Sequence, residues 1–283
     1  MNPVVSIMAQ GGMGAATAAR LVENGIEVRT VLAGRSAASA ERAKKAGMKP
    51  VTDEELVAAD FILSIVPPGE AIPLAKRLSP LMAKAAKKPV YVDVNAVNPD
   101  TAMMVAMIVE PSGATFVDGG IIGGPPRAGY DGPVYYVSGA EARRLDALAP
   151  FGLRISVLDA PGCAASALKM SYAGITKGLI AVGSSMIMAA ERAGVADALR
   201  AELGASQANL LNGFSRSIPD MFGKAYRWVD EMKQIAAFTG SDRAENDIYA
   251  AIAELYDRLG KDFGGPQAEI EKLRSFFSPA SAQ

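Results

Sequence analysis

Val4-Val5-Ser6-Ile7-Met8-Ala9-Gln10-Gly11-Gly12-Met13-Gly14 is the stretch on which the reading of the fold turns. Val4 to Met8 is a short apolar run. The spacing Ala9-x-Gly11-x-x-Gly14 leads it into a helical pattern, Ala15 to Glu23, that stops at Asn24-Gly25, and Glu27 to Leu32 reads as a second strand. A strand, a glycine turn, a helix and a strand over about thirty residues form a βαβ unit. Glycines between a strand and a helix are what a dinucleotide pyrophosphate needs. Gly11 lets the backbone approach the phosphates, Gly12 and Met13 continue the turn, and the phosphates lie on unpaired N–H groups at the helix start. Gly14 lets helix and strand pack closely. Ala9 stands at the first position, where the motif usually has glycine; its methyl group fits if φ stays negative. After the second strand comes Ala33-Gly34-Arg35-Ser36, with no carboxylate to hold a ribose 2′-hydroxyl. Arg35 offers a planar fork that fits a 2′-phosphate and Ser36 a hydroxyl, which favours NADP over NAD.

The alternation continues along the chain. Ala37 to Ala46 reads as a helix closed by Gly47. Thr52 opens another, with Glu55 in position for a capping box. Phe61 to Val66 is an apolar strand, Ala71 to Ala86 a helix, Val90 to Val94 a strand and Pro99 to Ile108 a helix capped by Asn98. Thr115 to Asp118, Pro133 to Ser138 and Ile155 to Leu158 are further short strands. Near-continuous apolar strands alternating with helices imply a parallel sheet covered on both faces. Beyond Pro161 the pattern is helical: Ala164 to Ala193, Asp197 to Asn212, Ile218 to Phe238, Asp242 to Leu259 and Pro266 to Phe276. The expected organisation is a Rossmann-type doubly wound α/β domain over residues 1–160, then an all-helical domain over 161–283 joined by a long helix. The tail from Ser278 to Gln283 is small and polar and reads as frayed.

Composition narrows the chemistry. The chain has 283 residues, 50% of them hydrophobic and 21% charged, as in globular proteins. Its 29 basic and 30 acidic residues leave a net charge of −1, with no field to hold a polyanion, so no nucleic-acid partner is expected. There is no histidine, which excludes Ser-His-Asp and Cys-His catalysis and His-ligated zinc; no metal site is expected. The single cysteine, Cys163, cannot form an internal disulfide and reads as a small packing residue. The N-terminus lacks a basic segment followed by a long apolar one. The most apolar stretch, Gly178 to Ala190, has 13 residues and includes Gly183, Ser184 and Ser185, too short and polar for a bilayer. A cytoplasmic protein with no membrane partner is expected.

Several segments, taken in order, resemble the β-hydroxyacid dehydrogenases, the family of 3-hydroxyisobutyrate and 6-phosphogluconate dehydrogenases. The glycine turn with Met13-Gly14 resembles that family's first motif. Asp60-Phe61-Ile62-Leu63-Ser64-Ile65-Val66-Pro67 resembles its fourth strand, whose end borders the nicotinamide half of the cofactor, and Asp93-Val94-Asn95 resembles its next strand end. The resemblance thus implies Val66, Pro67, Pro68 and Asn95 as cofactor contacts. Phe116-Val117-Asp118-Gly119-Gly120-Ile121-Ile122-Gly123-Gly124 resembles its substrate segment, implying substrate contacts at Ile122, Gly123 and Gly124. Pro161-Gly162-Cys163-Ala164-Ala165-Ser166-Ala167-Leu168-Lys169 resembles the start of its interdomain helix, implying Lys169 as the catalytic lysine. The helical remainder resembles a variant of the C-terminal domain. Two positions depart from the family. Ile122 replaces a serine that normally helps hold the substrate carboxylate, and Ala173 replaces an asparagine four residues after the lysine. A bulkier or less polar substrate, with its carboxylate held elsewhere, is implied.

Read on its own residues, Lys169 sits early in a long apolar helix. Ser166, Tyr172 and Thr176 recur at three- and four-residue spacing, so Tyr172 is set beside Lys169 for catalysis and substrate binding. As hydride adds to a carbonyl carbon, the oxygen gains charge. A protonated lysine can donate a hydrogen bond and then the proton, and the neutral amine accepts it in reverse. The expected activity is an NADP-dependent dehydrogenase or reductase acting on a hydroxy acid or its oxo form. Reduction of a C=N bond on the same scaffold and a cofactor-binding sensor are the alternatives. Asp118 reads as a turn-former rather than a base and Lys177 as structural; the segment Arg227 to Met232 resembles where the family's helical domain sends polar groups back to the pocket, but reads on its residues as a solvated helix face. The long helix exposes more apolar surface than one small helical domain covers, and the resemblance implies dimers, so a homodimer is expected.

Overall fold

The computed structural model describes residues 2–278; the expected frayed tail, beyond Ser278, lies outside the described residues. The chain divides into two compact units at Met170/Ser171. The first unit holds β1 (Val4–Met8), α1 (Gly12–Glu23), β2 (Glu27–Thr30), α2 (Ala37–Lys45), β3 (Lys49–Pro50), α3 (Asp53–Val57), β4 (Phe61–Ser64), α4 (Ala71–Lys84), β5 (Val90–Asp93), α5 (Pro99–Val109), β6 (Thr115–Ile122), β7 (Val134–Ser138) and β8 (Arg154–Val157). The strands form one sheet in the order β3-β2-β1-β4-β5-β6-β7-β8. β4 and β5 are buried at every position, which is why they read as unbroken apolar runs. Helices cover both faces. One packs Leu21, Val28, Leu63, Val92 and Leu148 together, the other Leu56, Ile62, Leu78, Tyr91 and Val105.

Local signals set the helix ends. Thr52 and Glu55 make the expected reciprocal capping box. Asn98 Oδ1 accepts from the Thr101 N–H at 2.8 Å, with Pro99 at the first helical position, where its missing N–H costs nothing. One expectation changes: the sheet is not parallel throughout, because β7 runs antiparallel to β6. Residues 123–133 return the chain directly, with no crossover helix, and such a connection can join only antiparallel neighbours. Chain order reverses between β1 and β4, leaving a crevice beyond the carboxyl ends of those strands.

α6 (Ala164–Ala193) is followed by α7 (Ala196–Ser206), α8 (Ala208–Met221), α9 (Ala225–Thr239), α10 (Ala244–Phe263) and α11 (Ala268–Phe277), with no strand among the described residues there. The division between units falls inside α6, ten residues later than the change of pattern at residue 160, because the first turns of α6 are bonded to β6 and β7. Two helical runs are each broken. The run expected over 197–212 breaks at Gln207, which leaves the helical region (φ −139°, ψ 45°) with no proline or glycine to announce it. The run expected from Ile218 breaks at a 3₁₀ turn, Phe222–Lys224. Phe214, Ile218, Ile235, Ile252, Tyr256 and Leu273 are all buried in the second unit. By length and composition α6 does reach what a bilayer span requires, contrary to the reading of its 13 most apolar residues alone, and 44% of its apolar window is buried.

Candidate functional site

The glycine turn closes the carboxyl end of β1. Ala9 takes φ +87°, correcting the expectation of a negative φ. The first position of this turn needs the left-handed region even without glycine, at a cost of about 1–2 kcal/mol for a residue with a Cβ. Gly14 is fixed by close approach: a Cβ there would lie 2.1 Å from the Ala9 carbonyl oxygen. Gly11 and Gly12 face open space, with nothing within 4 Å of where a Cβ would stand. α1 has no side-chain cap and no acidic residue in its first turn. Its leading N–H groups and the bare backbone of Gly11 and Gly12 therefore fit a pyrophosphate.

Sequence reasoning missed two groups beside this turn. Gln10 is buried, and its Nε2 donates to Thr30 Oγ1 at 2.5 Å and to the Val31 carbonyl at 3.0 Å. Arg42 Nε donates to the Gln10 carbonyl at 2.6 Å and an Arg42 terminal nitrogen to Ser39 Oγ at 3.0 Å, tying α2 to the turn. Arg35 is exposed just after β2. Ser36 caps α2 by accepting from the Ser39 N–H at 3.3 Å.

Val66, half-buried, follows β4, with Pro67 exposed beside it and Pro68 at the start of a 3₁₀ turn. Asn95 is committed elsewhere: its Oδ1 accepts from the Val66 N–H at 2.6 Å and its Nδ2 donates to Ser64 Oγ at 2.8 Å. It is a strut between the ends of β4 and β5 rather than a free cofactor ligand.

At the far end of β6, Ile122 is half-buried and Gly123 and Gly124 are exposed. Lys169 Nζ donates to the Ile121 carbonyl at 3.0 Å, which sets the ammonium beside that segment. Gly120 makes this contact possible, because a Cβ there would stand 2.9 Å from Lys169 Cβ and 3.0 Å from the Ala165 carbonyl oxygen. Tyr172, three residues on along α6, is half exposed.

Asp118 is not the turn-former expected. It lies within β6, 2% exposed, and burial raises its pKa against the opposing hydrogen bonds from Ser166 and Ser138. Asp93, its partner in register on β5, is wholly buried. Burial, joined by the charge of Asp118, pushes its pKa up to about 7. Burial and these carboxylates push the Cys163 thiol up to about 12, so it holds no thiolate near neutral pH. Among the described residues no group of three or more acidic or cysteine side chains could hold a metal.

Within the second unit, Glu231 corrects the reading of 227–232 as a solvated face. It is 6% exposed and forms a buried ion pair with Lys177. The Lys177 ammonium lies 4.9 Å from the Trp228 ring centroid, and Tyr256 Oη donates to the Lys177 carbonyl at 2.5 Å. Glu231 and Lys177 stand 54 positions apart, a separation at which sequence spacing carries no contact information.

Comparison with known proteins adds independent findings. Residues 5–156 match the NAD binding domain of 6-phosphogluconate dehydrogenase, and residues 190–259 match a domain of unknown function, DUF1932. An uncharacterized 28.5 kDa protein of Methanothermus fervidus is 32% identical over 185 residues, 65% of this chain and 69% of that one. A conserved protein described as structurally similar to 3-hydroxyacid dehydrogenases superposes with TM-score 0.70 at 25% identity, over 98% of this chain and 100% of the other. The Mycobacterium tuberculosis 3-hydroxyisobutyrate dehydrogenase, determined with L-serine, gives TM-score 0.72 at 21% identity, over 97% and 100%. A sheet reversing at β1 and β4, a bare glycine turn at that reversal and a match across the whole α/β unit lead to one conclusion: the chain belongs to the family of the 6-phosphogluconate dehydrogenase NAD-binding domain, with a variant helical C-terminal domain.

Proposed function

We propose that the protein is an NADP-dependent oxidoreductase that interconverts a hydroxy acid and its oxo form, with Lys169 as the acid and base. The observation that carries the reading is the lysine ammonium, bonded to Ile121 at the end of β6 beside Gly123-Gly124, in a chain whose glycine turn fits a dinucleotide. The nicotinamide group, when bound, supplies or takes up hydride. Gly11, Gly12 and the first turn of α1 hold the pyrophosphate. Arg35 with Ser36 receives the 2′-phosphate, and Arg42 fixes α2 against the turn. Val66 and Pro67 border the nicotinamide half, with Asn95 holding Val66 in place.

In reduction, Lys169 Nζ hydrogen-bonds the carbonyl oxygen and gives up a proton as charge develops there. In oxidation the neutral amine removes the hydroxyl proton. Tyr172 lines the same helix one turn on and contacts substrate. Ile122, half-buried in the segment that the Lys169 ammonium adjoins, stands where the resemblance implies a serine, which supports a bulkier or less polar substrate.

A second copy of the chain completes the assembly. Tyr172, Ile175, Leu179, Val182 and Met186 are all about half exposed or more, and recur at alternating three- and four-residue steps along α6. That spacing makes one apolar stripe suited to a partner helix.

The test is turnover of NADPH and NADH against a panel of oxo acids, hydroxy acids and cyclic imines. NADPH-dependent reduction of oxo acids is expected. Turnover of imines alone would replace the proposed substrate class, and tight NADPH binding without turnover of any compound would mean a sensor.

A further inference from the structure

For Lys169 to serve a reacting oxygen, α6 must be held in rotation and rise to well under an ångström. A helix start is ordinarily held by a capping side chain just before it. Here the partners come from distant strands. The Ser166 N–H donates to Asp118 Oδ2 at 3.0 Å, Ser166 Oγ donates to Asp118 Oδ1 at 2.5 Å, and Ser138 Oγ donates to Asp118 Oδ2 at 2.8 Å. The Ala165 N–H donates to Ser138 Oγ at 3.0 Å. One buried carboxylate therefore accepts three hydrogen bonds and, directly or through Ser138, serves two N–H groups of the first turn of α6. Its negative charge also faces the positive end of the helix dipole. These bonds offset part of the cost of burying the charge.

The same strand continues the grip. Gly120, two residues on, admits the helix backbone, and Ile121 holds the Lys169 ammonium itself. Along β6, Asp118 thus bonds Ser166, Gly120 lies against Ala165 and the base of the Lys169 side chain, and Ile121 accepts from the Lys169 ammonium, and only the last contact involves the group proposed to react.

We propose that Asp118 is a positioning residue for Lys169: with Ser138 and Ser166 it forms a carboxylate clamp that sets the helix start, and hence the lysine, against β6. The proposal rests on the reading of Lys169 as acid and base. Asp118 itself touches no reacting atom. A carboxylate suits the task because both of its oxygens accept. Asparagine has the same shape but turns two N–H donors toward a site that already supplies donors.

Asp118→Asn should lower kcat by about 10- to 100-fold, the scale expected when a catalytic group is displaced by about an ångström, with NADPH Kd unchanged. The same substitution made on Lys169→Ala should leave the residual rate unaltered, since no lysine remains to be positioned. Hydrogen exchange at the Ala165 and Ser166 amides should quicken in Asp118→Asn and in Ser138→Ala, while amides of β1 and β4 keep their protection. If Asp118→Asn does not fold, Ser166→Ala, which removes one hydroxyl donor, carries the same three measurements. Equal loss of kcat in both lysine backgrounds, or unchanged exchange at residues 165 and 166, overturns the proposal. Wild-type turnover in Lys169→Ala with quickened exchange in Asp118→Asn would sink the proposed acid–base role, and with it the purpose of the clamp, while leaving the clamp as structure. The two failures are thus told apart.

Discussion

Replacing Ala9 with glycine should stabilise the first unit. Ala9 holds φ +87°, in the left-handed region where a Cβ crowds the backbone at a cost of about 1–2 kcal/mol. Glycine removes that strain but is freer in the unfolded chain, which returns about 0.4–1 kcal/mol. The net expectation is a gain of about 0.5–1 kcal/mol, or roughly 1–4 °C in Tm for a chain of this size. Urea and thermal unfolding of the cofactor-free protein, followed by far-ultraviolet circular dichroism, measures the gain. The single tryptophan, Trp228, lies in the second unit, so any separate transition seen by its fluorescence should stay where it was. A loss of stability in Ala9→Gly would refute the reasoning, because it would mean that the turn holds alanine without strain and that the methyl group is worth more than the conformation costs.

Three further outcomes are expected. Arg35→Ala should weaken NADPH binding by about 1.5–3 kcal/mol, the range for hydrogen bonds to charged groups, and leave NADH nearly unaffected; equal loss for both, by calorimetry, would mean that Arg35 does not read the 2′-phosphate. Asp93 ionises near 3.8 when unfolded but keeps its proton to about 7 when folded, so the unfolded chain binds fewer protons between those values and stability falls as pH rises through that window. Asp93→Asn should flatten this fall in a comparison of urea midpoints from pH 4 to 7, and an unchanged slope would contradict the assignment. Leu179→Asp should give a monomer by light scattering at micromolar concentration, whereas a dimer that survives the charge would place the interface elsewhere.

The β–α alternation was legible because β4 and β5 are buried on both faces and so carry strongly polar groups only at their last positions, Ser64 and Asp93. The two-residue β3 left no such mark, since both of its residues are exposed. The direction of β7 was not legible either: an apolar run looks the same whichever way it is paired. At the site, the glycine turn stood out through local spacing, and Lys169 through the resemblance of residues 161–169 to the start of the family's interdomain helix. The rest depends on contacts between distant positions. Asp118 looked like a turn residue beside two glycines, and its partners lie 20 and 48 positions away. Asn95 was recognised as part of a strand end, but its role as a strut to Val66 and Ser64 follows only from the pairing of β4 with β5. The φ of Ala9 was misjudged because a sequence shows which residue occupies a turn and not which conformation the turn imposes.

In the proposed chemistry Lys169 carries the proton. The most direct measurement compares steady-state rates with NADPH and the best oxo acid for Lys169→Ala, Lys169→Arg and Tyr172→Phe, with NADPH affinity measured alongside. Lys169→Ala should bind NADPH normally and lose about 10²–10⁴ in rate, the usual contribution of a positioned acid or base. Lys169→Arg should not recover it, since a guanidinium keeps its proton. Tyr172→Phe should lose far less. Abolished turnover in Tyr172→Phe, with most of the rate kept in Lys169→Ala, would contradict the account and make the tyrosine the acid.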